Sequence, residues 1–289
     1  MKIVKKKSLG QNFLQDSGVL EKIISAGELT NSDKVLEIGP GEGALTKRLV
    51  EKVGKVVAIE KDERLKNEKS ALRKLQRQYN SLDLAVGQSS NLNSKLKIYF
   101  ADILEVNLPK ILAENGFEKS DYKLIANIPY YITGKIIRLF TDNQEIRPKL
   151  AVLLTQKEVA ERICASSGKH SILSLIVNYY AQPELIATVS RFAFSPAPKV
   201  DSAILKLQFK KLSPREEARA AGLKRLVKIG FAAPRKQLVK NLSNGLKINK
   251  EQLARFLSSL GLSKTARAEE VFLKQWLELL TLLNKEVKN

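Results

Sequence analysis

Short apolar runs alternate with longer segments in which apolar residues recur every three or four positions. KVLEIG (34–39), VVAIE (56–60), KIYFAD (97–102), YKLIAN (122–127) and LAVLLTQ (150–156) are short and mainly apolar. That pattern predicts strands buried on both faces. ALTKRLVEKV (44–53) and ITGKIIRLF (132–140) have helical spacing and fall between them. Strand, helix, strand in repetition predicts an α/β domain with a mostly parallel sheet. ELIATVSRF (184–192) and SAILKLQF (202–209) read as closing strands, joined through the proline-rich SPAPKVD. Residues 66–97 make a long link in which KNEKSALRKLQRQ reads as helical and SLDLAVGQSSNLNSKLK as a polar loop; it shows no chemistry and reads as a surface insertion.

After Phe209 the period becomes helical and basic. Residues 210–250 hold 12 Lys or Arg against 2 Glu, a net +10, half of the whole chain's +20. We therefore expect one domain over 1–210 and a small helical domain over 211–289. Leu223, Leu226, Val227 and Phe231 are expected to face its core, with Lys224, Arg225 and Lys228 facing out. The bland alternative is an ordinary solvated face.

That excess of positive charge points to a polyanionic partner, nucleic acid before a membrane surface. No apolar run approaches the ~20 residues that span a bilayer. MKIVKKKSLG has no apolar signal core, and the chain has one cysteine, Cys164. We expect a cytoplasmic protein without disulfides. His170 is the only histidine. With so few ligands, Cys164 and His170 read as structural filler, and no metal site is expected.

Candidate chemistry gathers at strand ends. VLEIGPGEGALTKRL is a strand, a glycine turn and a helix, with Gly39, Gly41 and Gly43 allowing a sharp turn and close ligand approach. Glu60 ends the next strand, where a carboxylate can bind both ribose hydroxyls of a nucleoside. The loop satisfies G-x-G-x-x-A, which suits a dinucleotide, and E-x-G-x-G-x-G, which suits S-adenosylmethionine; the loop leaves both open. Asp102 ends the third strand and can accept an adenine amino group, or merely cap a loop. Asn127-Ile128-Pro129-Tyr130 ends the fourth. An exocyclic adenine amine is a poor nucleophile because its lone pair is drawn into the ring. Two acceptors on its hydrogens correct that. The Asn127 side-chain oxygen is one candidate, and the Ile128 carbonyl, aimed by the stiff Pro129, is the other. Tyr130 offers a stacking face for the base. The bland reading is an Asn-capped turn with a core tyrosine.

These motifs have a known order. KKSLGQNFL (6–14), EIGPGEGALT, Glu60, Asp102, NIPY, FSPAPKVDSAIL (194–205) and APRKQLVKNL (233–242) follow one another as in the KsgA-type ribosomal RNA adenine dimethyltransferases, which the chain resembles from about residue 5 to about 275. The resemblance implies a Rossmann-like class I S-adenosylmethionine-dependent methyltransferase sheet with a small C-terminal helical domain. It implies cofactor contacts at Asn12, Leu14, Gly39, Gly41, Glu60, Asp102 and Asn127, and Phe194 as a second ring against the target base. Gln11 would order the N-terminal segment. It implies dimethylation of two adjacent adenines near the 3′ end of small-subunit ribosomal RNA, four methyl transfers in all, on a partly assembled small subunit met by a monomer. Lys2, Lys5, Lys6, Lys7, Lys224, Arg225, Lys228, Arg235 and Lys236 would hold phosphates. Tyr131 departs from the Asn common there, and the 66–97 link is longer than usual. An Erm-type large-subunit target, a catalytically dead RNA-binding assembly factor and a nicotinamide oxidoreductase stay open as alternatives.

Overall fold

The computed structural model describes residues 12–85, 94–165 and 168–286. Lys2, Lys5, Lys6, Lys7 and Gln11 lie outside the described residues. Nine strands run in chain order: β1 (Phe13–Leu14), β2 (Lys34–Ile38), β3 (Lys55–Glu60), β4 (Leu96–Phe100), β5 (Lys123–Asn127), β6 (Leu150–Gln156), β7 (Ala181–Val189), β8 (Phe194–Ser195) and β9 (Ser202–Phe209). Seven form one sheet in the order β4-β3-β2-β5-β6-β9-β7. Strands β4, β3, β2, β5 and β6 are mutually parallel, and β9 pairs antiparallel with β6.

The apolar runs become strands because both faces are covered. Val35, Leu36, Val56, Val57, Ile125 and Val152 are fully buried. The strand order reverses at β2, whose neighbours are β3 and β5. At such a reversal the flanking connections diverge to opposite faces and leave a crevice beyond the carboxyl ends of the strands. Ile38, Glu60, Phe100 and Asn127 end the four strands that border it.

The expected surface insertion is corrected in part. Ala71–Ala85 is a helix packed on β4, with Leu72 fully buried and Leu75 and Tyr79 against the same core. Apolar residues at those spacings give the helix a core-facing stripe. Leu72 also lies beside Gly43, 3.4 Å from where a Cβ would stand, so this helix backs the glycine loop.

At the opposite, amino-terminal end of the strands, buried Asp33 accepts from Lys123 (2.9 Å), Lys149 (2.8 Å) and the Thr30 amide (2.8 Å). Burial pushes its pKa up, but the two lysines and Thr30 outweigh that and hold it far below the usual carboxylate range.

Packing divides the chain into two compact units, residues 1–160 with 183–209 and residues 161–182 with 210–289. The segment 161–182, which the sequence reading assigns to the first domain, thus groups with the second. There Ile172–Tyr180 packs on the helix Pro214–Gly230. The latter starts at a Ser213–Glu216 capping box, each side chain accepting from or bonding back to the other's backbone. Leu223, Leu226 and Val227 are buried, and Phe231 stacks on the buried Trp276 at 6.3 Å. Arg225 and Lys228 are exposed, but Lys224 is half-buried with its ammonium 4.9 Å from the Tyr180 ring. The expectation that Lys224 faces out is therefore corrected, since an aromatic face holds its side chain. His170 is buried, its ring edge-on to Phe272.

Gly230 has no room for a side chain. A Cβ there would stand 2.3 Å from the Trp276 ring and 3.0 Å from Leu238. Gly230→Ala is expected to destabilise by about 1–3 kcal/mol through overpacking. A lowered urea midpoint with unchanged slope checks this.

Candidate active site

One cavity of about 330 Å³ opens at the carboxyl ends of β2–β5. The tip of β2 makes its floor. Gly39, Gly41 and Gly43 all have positive φ (70°, 55° and 87°), which a side chain would strain. Gly41 must also be small because Phe13 covers it, and a Cβ would meet that ring at 2.9 Å.

Phe13 belongs to a short ribbon. β1 pairs antiparallel with β8, setting Phe13 opposite Ser195 and Leu14 opposite Phe194. The Gln15 amide donates to the Ala193 carbonyl at 2.9 Å and extends the pairing. Asn12, Leu14 and Phe194 all line the cavity.

The acids have different surroundings. Glu60 is buried, and its two oxygens accept from the Asp62 amide (2.8 Å) and the Gly41 amide (2.9 Å). Burial pushes its pKa up, and these bonds hold back part of the rise. Asp102 accepts from Lys61 Nζ (2.6 Å) and the Leu104 amide (3.0 Å). Burial raises its pKa, but Lys61 and the amide outweigh burial and leave it below the ordinary value. The loop-capping reading of Asp102 is thus observed, and the residue also lines the cavity.

Glu37 is the acid that sequence reasoning quoted but did not select. It lines the cavity and is buried, and burial pushes its pKa up to about 8. The adjacent Thr46 hydroxyl opposes the rise, and the charge of Glu60 adds to it. Neither Glu37 Oε2 nor Thr46 Oγ1 makes a hydrogen bond of good geometry with another described residue. The signal was the first letter of E-x-G-x-G-x-G; its burial was not legible.

The loop after β5 forms a wall. The Asn127 side-chain amide donates to the Asn12 carbonyl at 3.4 Å, a long bond that ties β5 to the ribbon segment. Pro129 has φ −54° and ψ 130°, and its carbonyl accepts from the Ile132 amide at 3.1 Å. Tyr130 is half-buried, with its hydroxyl 2.6 Å from Ser202 Oγ on β9. Ile128 is buried, while Tyr131 is 60% exposed at the cavity edge. Asn12, Leu14, Gly39, Gly41, Glu60, Asp102, Asn127, Ile128, Pro129, Tyr130 and Phe194 therefore share one cavity. Arg225, Lys228, Arg235 and Lys236 are exposed in the second compact unit. Among the described residues no group of three or more His, Cys, Asp or Glu is arranged to hold a metal, and no helix is long and apolar enough to cross a membrane.

A parallel sheet with its crevice at a strand-order reversal, a glycine loop and acids at the next two strand tips is the arrangement of a class I methyltransferase that uses S-adenosylmethionine. The chain belongs to the ribosomal RNA adenine dimethylase family, whose model it matches over residues 3–285. It is 35% identical over 271 residues to "Ribosomal RNA small subunit methyltransferase A" of Dehalococcoides mccartyi, covering 94% of this chain and 86% of that protein. The protein of that name from Fusobacterium nucleatum is 35% identical over 283 residues, covering 97% and 98%. Among solved structures, a dimethyladenosine transferase from Plasmodium falciparum is similar with TM-score 0.71 and 28% identity over 95% of this chain and 98% of that one. The 23S rRNA methyltransferase ErmE is similar with TM-score 0.66 and 26% identity, covering 94% and 100%.

Proposed function

We infer that this chain dimethylates the exocyclic amino groups of two adjacent adenines near the 3′ end of small-subunit ribosomal RNA, with S-adenosylmethionine as methyl donor. The observation that carries the reading is the Asn127–Tyr130 loop, which walls the same cavity as the glycine loop and Glu60. The curated relatives named for the small subunit favour that target over the large-subunit RNA named for ErmE. The reading takes the enzyme to be a cytoplasmic monomer and its substrate to be a partly assembled small subunit.

The cavity residues fit the cofactor. The Glu60 oxygens accept from backbone amides, and a carboxylate with about four lone-pair sites has capacity left for a ribose hydroxyl. Glu37 Oε2, buried without a good partner, suits a cationic amine. Asp102 is an acceptor at the edge where the adenine amino group would lie, and Asn12, Leu14 and Gly39 complete the walls. When bound, S-adenosylmethionine supplies an electrophilic methyl group on a sulfonium.

The remaining work belongs to this chain. Asn127 Nδ2 donates to Asn12, so Oδ1, on the other edge of the amide, is the acceptor for the target amine. The Ile128 carbonyl is the second acceptor, in a turn stiffened by Pro129. Two acceptors draw the nitrogen toward a tetrahedral shape and make its lone pair available. The amine can lose its proton after bond formation, so no strong base is required and positioning dominates. Tyr130, anchored through Ser202, and Phe194 offer ring faces to the base.

Arg225, Lys228, Arg235 and Lys236, with Lys224 held on Tyr180, bind RNA phosphates in this reading. Lys5, Lys6 and Lys7 are assigned the same role from the sequence. Phosphate contacts position the enzyme without reading sequence. Replacing Arg225, Lys228, Arg235 and Lys236 by Ala should lower the slope of log affinity against log salt by about 3–4. Titration of small subunits at several salt concentrations checks this; an unchanged slope removes the four from the interface. The function itself is tested by labelled S-adenosylmethionine offered separately to small and large subunits lacking these methyl groups. Label is expected in small-subunit RNA, and label confined to large subunits would overturn the target assignment.

A further inference from the structure

Four large apolar residues are exposed among the described residues: Tyr131, Phe192, Val200 and Phe272. Tyr131 lines the cavity, and Phe192 lies two residues from Phe194, which lines it too. Phe192 is the most exposed, at 76%. A single exposed apolar side chain usually needs no explanation. Phe192 differs in three respects.

It is held on a hydrogen-bonded turn. The 3₁₀ turn Arg191–Ala193 is fixed by Arg191 N–H to Asp201 Oδ1 (3.0 Å) and Phe192 N–H to Ser190 Oγ (3.3 Å). Ala193 N–H donates to the Ser190 carbonyl (3.0 Å), and the Ala193 carbonyl accepts from Gln15 N–H (2.9 Å). It is also close to the reaction. Two residues on, Phe194 pairs with Leu14 and lines the cavity. Two residues of chain span at most about 7 Å. Finally, the Arg191 guanidinium sits over the ring, 4.9 Å from its centre.

A solvent-facing ring on a hydrogen-bonded turn, with a cation on it and next to a cavity that takes one base, has the chemistry to hold a nucleotide. The ring stacks any base, and the guanidinium meets its phosphate or extends the stack. We propose that Phe192, backed by Arg191, is the platform for the nucleobase adjacent to the adenine in the cavity. This rests on the function inferred above. When one of two neighbouring adenines is in the cavity, the other is the base that the platform takes. Phe192 is thus a positioning residue: it fixes the strand so that the target base enters in register.

The test compares wild type with Phe192→Ala, Phe192→Leu and Phe192→Trp on small subunits lacking dimethyladenine. Phe192→Ala is expected to lower kcat/KM on the order of 10-fold, as loss of one stacked base requires. Phe192→Leu, apolar but ringless, should fall as far, and Phe192→Trp should stay near wild type. Cofactor affinity by calorimetry should not change in any of them. Ultraviolet crosslinking should join the Phe192 peptide to the nucleotide beside the target in wild type and not in Phe192→Leu. If wild type transfers methyl groups and Phe192→Leu matches it, or if the crosslink maps to a remote nucleotide, the platform is overturned while the function stands. If wild type labels no small-subunit RNA, the function reading fails and the platform with it.

Discussion

Asn127→Ala should lower kcat by about 10²–10³-fold, the usual cost of losing one preorganised group at the reacting centre. RNA binding should stay within a few-fold of wild type. Asn127 ends β5, and its amide is oriented by donation to the Asn12 carbonyl. Alanine removes the acceptor offered to the target amine and also unties the Asn12 segment. Asn127→Asp separates these effects: it keeps an acceptor but cannot donate to Asn12 when ionised, and it sets a carboxylate against a carbonyl oxygen. Both variants should therefore be slow in single-turnover transfer, with Asp failing by misorientation. A near-normal rate for Asn127→Ala would remove this account of the loop.

Glu37 should make the cofactor-free protein less stable as pH rises from about 4.5 to about 8. Its pKa is 4.5 by reference and about 8 in the folded chain. Between those values the folded state keeps a proton that the unfolded state has released. Unfolding then releases a proton, so stability falls as pH rises, by up to ~1.4 kcal/mol per pH unit, and levels off above the folded pKa. Over the whole window the loss has a ceiling of about 5 kcal/mol. Glu37→Gln has no such titration. The variant should therefore gain on wild type in urea unfolding at pH 8 and lose that advantage near pH 4.5. It should also bind S-adenosylmethionine more weakly, since the amide offers no negative charge to a cationic amine. A wild type and variant whose stability difference is flat from pH 4.5 to 8 would show that Glu37 is ionised in the free protein.

Most of the sheet was legible in the sequence because strands buried on both faces are short, mainly apolar runs. β2, β3, β5, β6 and β9 lie within a residue or two of the runs that predicted them. β7 begins at Ala181, ahead of the expected Glu184, since Ala-Gln-Pro carries no strand pattern. The helical character of the stretch that becomes Ala71–Ala85 was legible, but the lysines and arginines between Leu72, Leu75 and Tyr79 hid that it packs on the core. Strand-tip residues stood out for a related reason. Glu60, Asp102 and Asn127 are polar residues ending or just following apolar runs, and a parallel sheet brings such ends together.

What the sequence could not show depends on contacts between distant segments. The β1–β8 ribbon joins two-residue strands about 180 positions apart, too short for any periodicity. Only the resemblance pointed to Asn12 and Leu14. The grouping of residues 161–182 with the helical unit is likewise a matter of packing partners. Lys224 has the position of a solvent-facing lysine on its helix, and only the Tyr180 ring reveals otherwise. Glu37 shows the same limit electrostatically, because a carboxylate's burial cannot be read from the letters around it.

The most direct test maps the methyl groups by mass. Small subunits lacking these methyl groups are incubated with the protein and S-adenosylmethionine, and their RNA is digested and sequenced by mass. The account predicts two neighbouring dimethyladenines near the 3′ end. Methylation of another base type or at scattered positions would contradict it, as would tight binding of the small subunit with no methyl group transferred.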